Sequence, residues 1–200
     1  MPTPYGDEAA LLVIDVQRAL FERASPIFNA DRLLQRINTL TDLAHQTETP
    51  VIFFKHINKG VLKKDSNGWM LHPDLNFLEV DTFMEKRHGS AFQDTLLDDL
   101  LRSRGITTLV MCGLTTHGCI KATCTDALKY GYHTILGADA HSSYHADAES
   151  LIHRWNFRFG QQGVVVVQTR AILFQPQRSP TAEKIRSIGT DLVDSDQRCL

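Results

Sequence analysis

Short apolar runs alternate along the chain with longer stretches whose apolar residues recur every three or four positions. Six runs read as strands: ALLVIDV (10–16), VIFFKH (51–56), VDTFMEK (80–86), ITTLVMCG (106–113), HTILGAD (133–139) and VVVVQ (164–168). Most are apolar at successive positions, which suits a parallel sheet covered on both faces. Helix patterns lie between them. Leu33, Leu34, Ile37, Leu40, Leu43 and Ala44 share one face, behind Asn29 or Asp31 as a cap. Ser90, Ala91, Phe92 and Gln93 spell a capping box, opening a helix that buries Leu96, Leu97, Leu100 and Leu101. Gly105 is placed to end that helix, and Gly131 to end another that begins near Cys119. The alternation predicts a three-layer α/β/α domain built on a six-stranded, mostly parallel sheet with right-handed crossovers.

Two stretches break the rhythm. Residues 57–78, INKGVLKKDSNGWMLHPDLNFL, form a connection without periodicity, and a loop that long in a small domain is functional, disordered or misread. Trp69, Met70, Leu71 and Pro73 favour an ordered lid or an oligomer contact. After Phe174 the chain turns polar, with a weak helix over 181–192. One domain is expected over 1–200, with its core at about 9–174 and a polar tail at 175–200.

Composition narrows the function classes. A 200-residue chain that is 42% hydrophobic and 22% charged is a folded globular protein. A net charge of −2 leaves no footprint for nucleic acid or an anionic membrane surface. GVVVVQ is too short to span a bilayer, and MPTPYGDEAALLVIDV lacks the basic start of a signal peptide. A cytoplasmic chain with reduced cysteines is expected. IDVQRALFERASP has no glycine-rich phosphate turn, which argues against a dinucleotide.

In open α/β sheets ligands bind beyond the carboxyl ends of the strands. The reactive side chains at those ends are Asp15, His56, Lys86, Cys119 and Asp139. A carboxylate, an ammonium and a thiol on one rim suit thiol-based acyl transfer. The turn GLTTHG leads into CIKATCTDALKYG, so Cys119 falls at a helix start, where the dipole and unpaired N–H groups favour a thiolate and an oxyanion. Cys112 and Cys124 read as core residues, and the spacings match neither a zinc knuckle nor a C-x-x-C pair. A cysteine at a helix start also packs in many cores, so both readings of Cys119 stay open on the residues alone. Asp15 is the one charge in AALLVIDV, and Lys86 is a candidate partner for it.

LLVIDVQRALF, KRHGSAF and VMCGLTTHGCIKATCTDALKYGYHTILGADAHSS resemble the isochorismatase-like cysteine hydrolases, a superfamily that includes nicotinamidases and carbamoylsarcosine amidase-like enzymes. The likeness runs from about residue 9 to 174, and the order D-x-Q, K-x-x-x-S-A-F, G-x-T-T-x-x-C is specific. It implies a catalytic triad of Asp15, Lys86 and Cys119. It also implies a cis peptide between Leu114 and Thr115 and an oxyanion hole made by the Thr115 and Cys119 amides. The implied activity is cysteine-dependent hydrolysis of a small amide, ureide or carbamoyl compound through a thioester. A Rossmann-like strand order 3-2-1-4-5-6 puts Lys86 two strands from Asp15, about 10 Å at ~4.8 Å per strand, so the lysine must lie past its strand end and lean over.

Nicotinamidases hold a metal on an aspartate and histidines after the second strand. FFKHINKGVLKKD keeps His56 but lacks the D-x-H pair, while His72 and His88 read as solvent-facing or capping. No metal and no cofactor are expected. Gln17, Phe21 and Trp69 are candidate pocket residues; the competing roles are a hydrogen bond to Asp15, core packing and an oligomer interface. GWMLHP and LIHRWN resemble segments of uncharacterised hydrolases. A homo-oligomer (dimer, tetramer or larger) acting on a small molecule is expected. The alternatives are vinyl-ether hydrolysis of the isochorismatase type, or a non-catalytic redox or interaction protein.

Overall fold

Six strands, β1 (Ala9–Ile14), β2 (Val51–His56), β3 (Thr82–Lys86), β4 (Thr108–Leu114), β5 (His133–Ser142) and β6 (Val165–Val167), form one sheet in the order β3-β2-β1-β4-β5-β6. All five pairings are parallel. This computed structural model describes residues 8–175; the helix expected over 181–192 lies outside them. The helices are α1 (Arg18–Phe21), α2 (Ala30–Gln46), α3 (Leu97–Ser103), α4 (Lys121–Lys129) and α5 (Ala148–Gln161).

The near-continuous apolar runs follow from a sheet covered on both sides. Leu11, Val13, Phe53 and Val110 point to one face, where Leu33, Ile37 and Leu40 of α2 cover them. Leu12, Ile14, Phe54 and Met111 point to the other, against Leu97 and Leu101 of α3, Cys124 and Ala127 of α4 and Phe159 of α5. Central β1 is buried at all six positions. Among the described residues, no helix is long and apolar enough to cross a membrane.

Several boundaries differ from the sequence pattern. The capping box does not open a helix: α3 begins at Leu97, because Asp94 adopts a positive φ of 54° and breaks the run. Ser90 Oγ instead accepts from the nearby Phe92 amide, and Thr95 Oγ1 accepts from Leu97 N. Asn29 precedes α2 in a left-handed conformation without a side-chain cap bond, so α2 is held by its buried face. β5 continues past Asp139 to Ser142. The Asp139 carboxylate therefore leaves the expected reactive rim: it accepts from Thr169 N and Oγ1, both at 2.7 Å, and pairs with Arg36 at 3.0 Å. The connection over 57–78 is ordered on its own chain, with a helical turn at Asn67–Trp69 and a bridge from Leu71 to Gln17.

One close approach shapes the ends of the two central strands. Gly113 pairs with Ile14 across β1 and β4 and has φ +115°. A Cβ there would overlap the Ile14 carbonyl and stand 2.8 Å from its nitrogen. Immediately after Ile14 the chain turns at Asp15, φ 52°, out of the strand. Gly113→Ala should therefore lower unfolding free energy by about 3 kcal/mol, from combined clash and φ strain. Urea denaturation measures it; a loss below about 1 kcal/mol would mean that the strands separate there without penalty.

Candidate active site

The end of β1 delivers Asp15, and its amide bonds the Phe54 carbonyl of β2 at 3.1 Å. Lys86 is the last residue of β3, two strands away, and both side chains are almost fully buried. Lys86 Nζ lies 2.7 Å from Asp15 Oδ2. The long stem spans β2 from within the strand, with no need to sit past its end. The same ammonium donates to the carbonyls of His88 (3.1 Å) and Gly89 (3.2 Å), giving its three protons three acceptors. Apart from that ammonium and the thiol beside it, neither Asp15 oxygen has a partner among the described residues.

The third group arrives on the turn after β4. The Thr115 carbonyl accepts from the Gly118 and Ile120 amides at 3.0 and 3.2 Å, curling the chain over Thr116–Ile120. Gly118 is needed at the bend, since a Cβ would stand 2.6 Å from Thr115 Oγ1. The peptide between Leu114 and Thr115 is cis. Beneath the turn, buried Thr116 Oγ1 meets His141 Nδ1 at 2.9 Å, and His141 Nε2 meets Asn156 Oδ1 at 2.8 Å. Burial pushes His141 down to about 4, so a neutral ring braces the turn at ordinary pH.

Asp15, His56 and Cys119 each place one ligand-type atom within 4.8 Å of the other two. Asp15, Lys86 and Cys119 thus converge, joined by His56 from the end of β2. The thiol differs from the sequence expectation. Burial pushes Cys119 up to about 12, and the Asp15 carboxylate adds to this against an opposing pull from Lys86. Cys119 sits in the curled turn that runs directly into α4 at Lys121, as the sequence predicted, but there burial and the Asp15 carboxylate raise the thiol. Cys112 and Cys124 are buried in the core, where burial alone raises both thiols.

The three candidate pocket residues turn out differently. Gln17 is wholly buried: its amide accepts from His56 N (2.9 Å) and donates to His56 O (3.0 Å) and Trp69 O (2.8 Å). It is a clamp between β2 and the 57–78 connection, with no amide group left for a ligand or for the Asp15 side chain. Trp69 is also buried, with Lys55 Nζ 3.5 Å over its ring, so its wall comes from its own chain and leaves no face for another subunit. Phe21 is half-buried against His72, ring centroids 4.5 Å apart. A cavity of about 310 Å³ lies elsewhere, beside Arg32, Asp139, His141 and Asn156.

The donor set does not fit a resident metal of the nicotinamidase kind. Asp15, His56 and Cys119 form the one such cluster among the described residues, and the Lys86 ammonium already stands against it, 2.7 Å from Asp15 and 3.5 Å from His56 Nδ1. A divalent ion would share that space with a buried positive charge.

The profile of the isochorismatase domain matches residues 9–171. The chain belongs to the isochorismatase domain family. It is 32% identical to streptothricin hydrolase of Streptomyces noursei over 68% of this chain and 54% of that protein, and so spans about half of that relative. Identity to maleamate amidohydrolase of Pseudomonas putida is 36%, covering 72% of this chain and 76% of that one. A crystal structure of an isochorismatase from Pseudomonas putida superposes with a TM-score of 0.78 at 24% identity, over 86% of this chain and 93% of that one, showing the shared fold. Among the relatives it resembles is thus a protein named as an amidohydrolase, and this chain shares the fold of a solved isochorismatase.

A thiol raised to about 12 should alkylate slowly at neutral pH, with the iodoacetamide rate at Cys119 still climbing between pH 7 and 10. Asp15→Asn removes a charge that raises the thiol, so labelling at pH 8 should quicken relative to the wild type. A wild-type rate already flat above pH 7 would instead mark a resting thiolate.

Proposed function

We propose that this isochorismatase-family protein is a cysteine hydrolase of a small amide, ureide or carbamoyl compound, with Asp15, Lys86 and Cys119 as its catalytic set. The observation that carries the reading is the convergence of a buried ion pair and a half-buried thiol at the carboxyl ends of three strands. The amide named in maleamate amidohydrolase supports the substrate class. The misfit of a metal favours chemistry supplied by side chains.

The raised thiol sets the order of events. At neutral pH sulfur carries its proton, and the adjacent Asp15 carboxylate accepts it as Sγ attacks the substrate carbonyl. The developing oxyanion is held by the Thr115 and Cys119 amides. Collapse expels the amine, which takes the proton back from Asp15. Lys86 holds the carboxylate facing the sulfur throughout. Water then hydrolyses the thioester, releasing the acid and restoring the thiol.

The test is a panel of small amides, ureides and carbamoyl compounds against wild type, Cys119→Ala and Asp15→Asn. At least one compound should be hydrolysed by the wild type, with kcat/KM falling by about 10³-fold or more in Cys119→Ala. Turnover that survives loss of the sulfur would rule out the thioester route and point to vinyl-ether chemistry.

A further inference from the structure

We propose that His56 is the base that activates water for hydrolysis of the Cys119 thioester, a role that rests on the thioester reading above. Asp15 has a task in the first half of the reaction, but it is 2% exposed, while the sulfur above the strand ends is only partly buried. An acyl group on Cys119 would cover the carboxylate. His56 is half-exposed at the end of β2, so water approaching the acyl carbon from solvent meets the imidazole before the carboxylate.

Three features make the ring fit for this task. First, it is in range, with a ring nitrogen within 4.8 Å of both the Cys119 sulfur and the Asp15 carboxylate. Second, its lone pair is not taken up by the neighbouring lysine. Nδ1 stands 3.5 Å from Lys86 Nζ, whose three protons already have closer acceptors at 2.7, 3.1 and 3.2 Å. The groups facing the ring are Lys86 from β3, His88 just beyond it, Asp15 from the end of β1 and Cys119 from the turn before α4. Burial, followed by the Lys86 charge, lowers the imidazole below its usual value, and Asp15 and a hydrogen bond to the His88 carbonyl only partly oppose them. The ring is therefore neutral at pH 7 and able to take a proton.

Third, the fold holds this residue with unusual care. The buried Gln17 side chain brackets the His56 backbone, accepting from its N–H at 2.9 Å and donating to its carbonyl at 3.0 Å. A strand end that merely needed closing could be satisfied by water. His56 is also the register partner of Lys86 on the neighbouring strand, so both side chains project from the same face into the cluster. Gln17, no wall of a pocket, thus acquires a reason to be buried: it positions the base.

In the proposed step, water oxygen bonds to the thioester carbonyl carbon while its proton passes to the His56 imidazole. The tetrahedral intermediate collapses by breaking the carbon–sulfur bond. Sulfur leaves as thiolate and recovers the proton from the imidazole, and the product departs as the carboxylic acid.

The experiment uses p-nitrophenyl acetate, which acylates a reactive thiol and releases a coloured phenol. Wild type, Cys119→Ala, His56→Gln and His56→Ala are compared by stopped-flow absorbance and by intact mass. The wild type should turn over continuously. His56→Gln should release about one phenol per chain in a burst at near wild-type rate, then slow by about 100-fold or more, the usual contribution of a general base. An acetyl adduct on Cys119 should accumulate, and added imidazole should speed its decay in His56→Ala. Wild-type turnover in His56→Gln without an adduct overturns the inference, as does an equal loss of burst and steady state. If wild type gives no turnover beyond that of Cys119→Ala, the thioester reading itself falls, whatever His56 does.

Discussion

The ion pair between Lys86 and Asp15 is the constraint from which the rest of the site follows. Two opposite charges lie 2.7 Å apart with almost no exposure to water. Desolvating them is costly, and the attraction repays it only when the geometry is exact enough to satisfy the remaining protons. Here the ammonium finds two backbone carbonyls in addition to the carboxylate. The lysine reaches from β3 over β2 to the end of β1, so the pair forms only if those strands are ordered and registered as they are. An ion pair that spans three strands makes the site depend on the sheet.

The thiol is then governed by its burial and by its charged neighbours. Burial and the carboxylate together disfavour the thiolate, while the ammonium acts in the opposite sense. A sulfur in that environment is protected from casual alkylation and oxidation. The Thr116–His141–Asn156 row supports the turn from below as a neutral chain, adding no further charge to an already charged centre.

Much of this was legible in the sequence. Apolar runs at 10–16 and 51–56 can bury both faces only in a covered parallel sheet, and the charges that close such runs fall on one rim. Asp15 was readable as a lone charge in an apolar run, while Lys86 and Cys119 became candidates for one site through the family resemblance. The remainder depended on contacts between distant segments. Asp139 looked like another rim carboxylate until Thr169 and Arg36, from elsewhere in the chain, claimed it. Gln17 looked like a pocket residue because its partners, His56 and Trp69, lie about forty and fifty residues away. The capping box failed at Asp94, whose positive φ follows from the path of the loop and not from local propensity. The burial that raises the Cys119 thiol was not legible, because burial depth is set by tertiary packing rather than by sequence neighbours.

The most direct test of the central claim is a double-mutant cycle on unfolding free energy with Asp15→Asn, Lys86→Met and the double variant. A buried pair that organises the site predicts a coupling of about 2 kcal/mol or more, the double variant being less damaged than the sum of the single changes. A coupling near zero would show that the two charges do not sense one another in the folded protein, contradicting the account at its base.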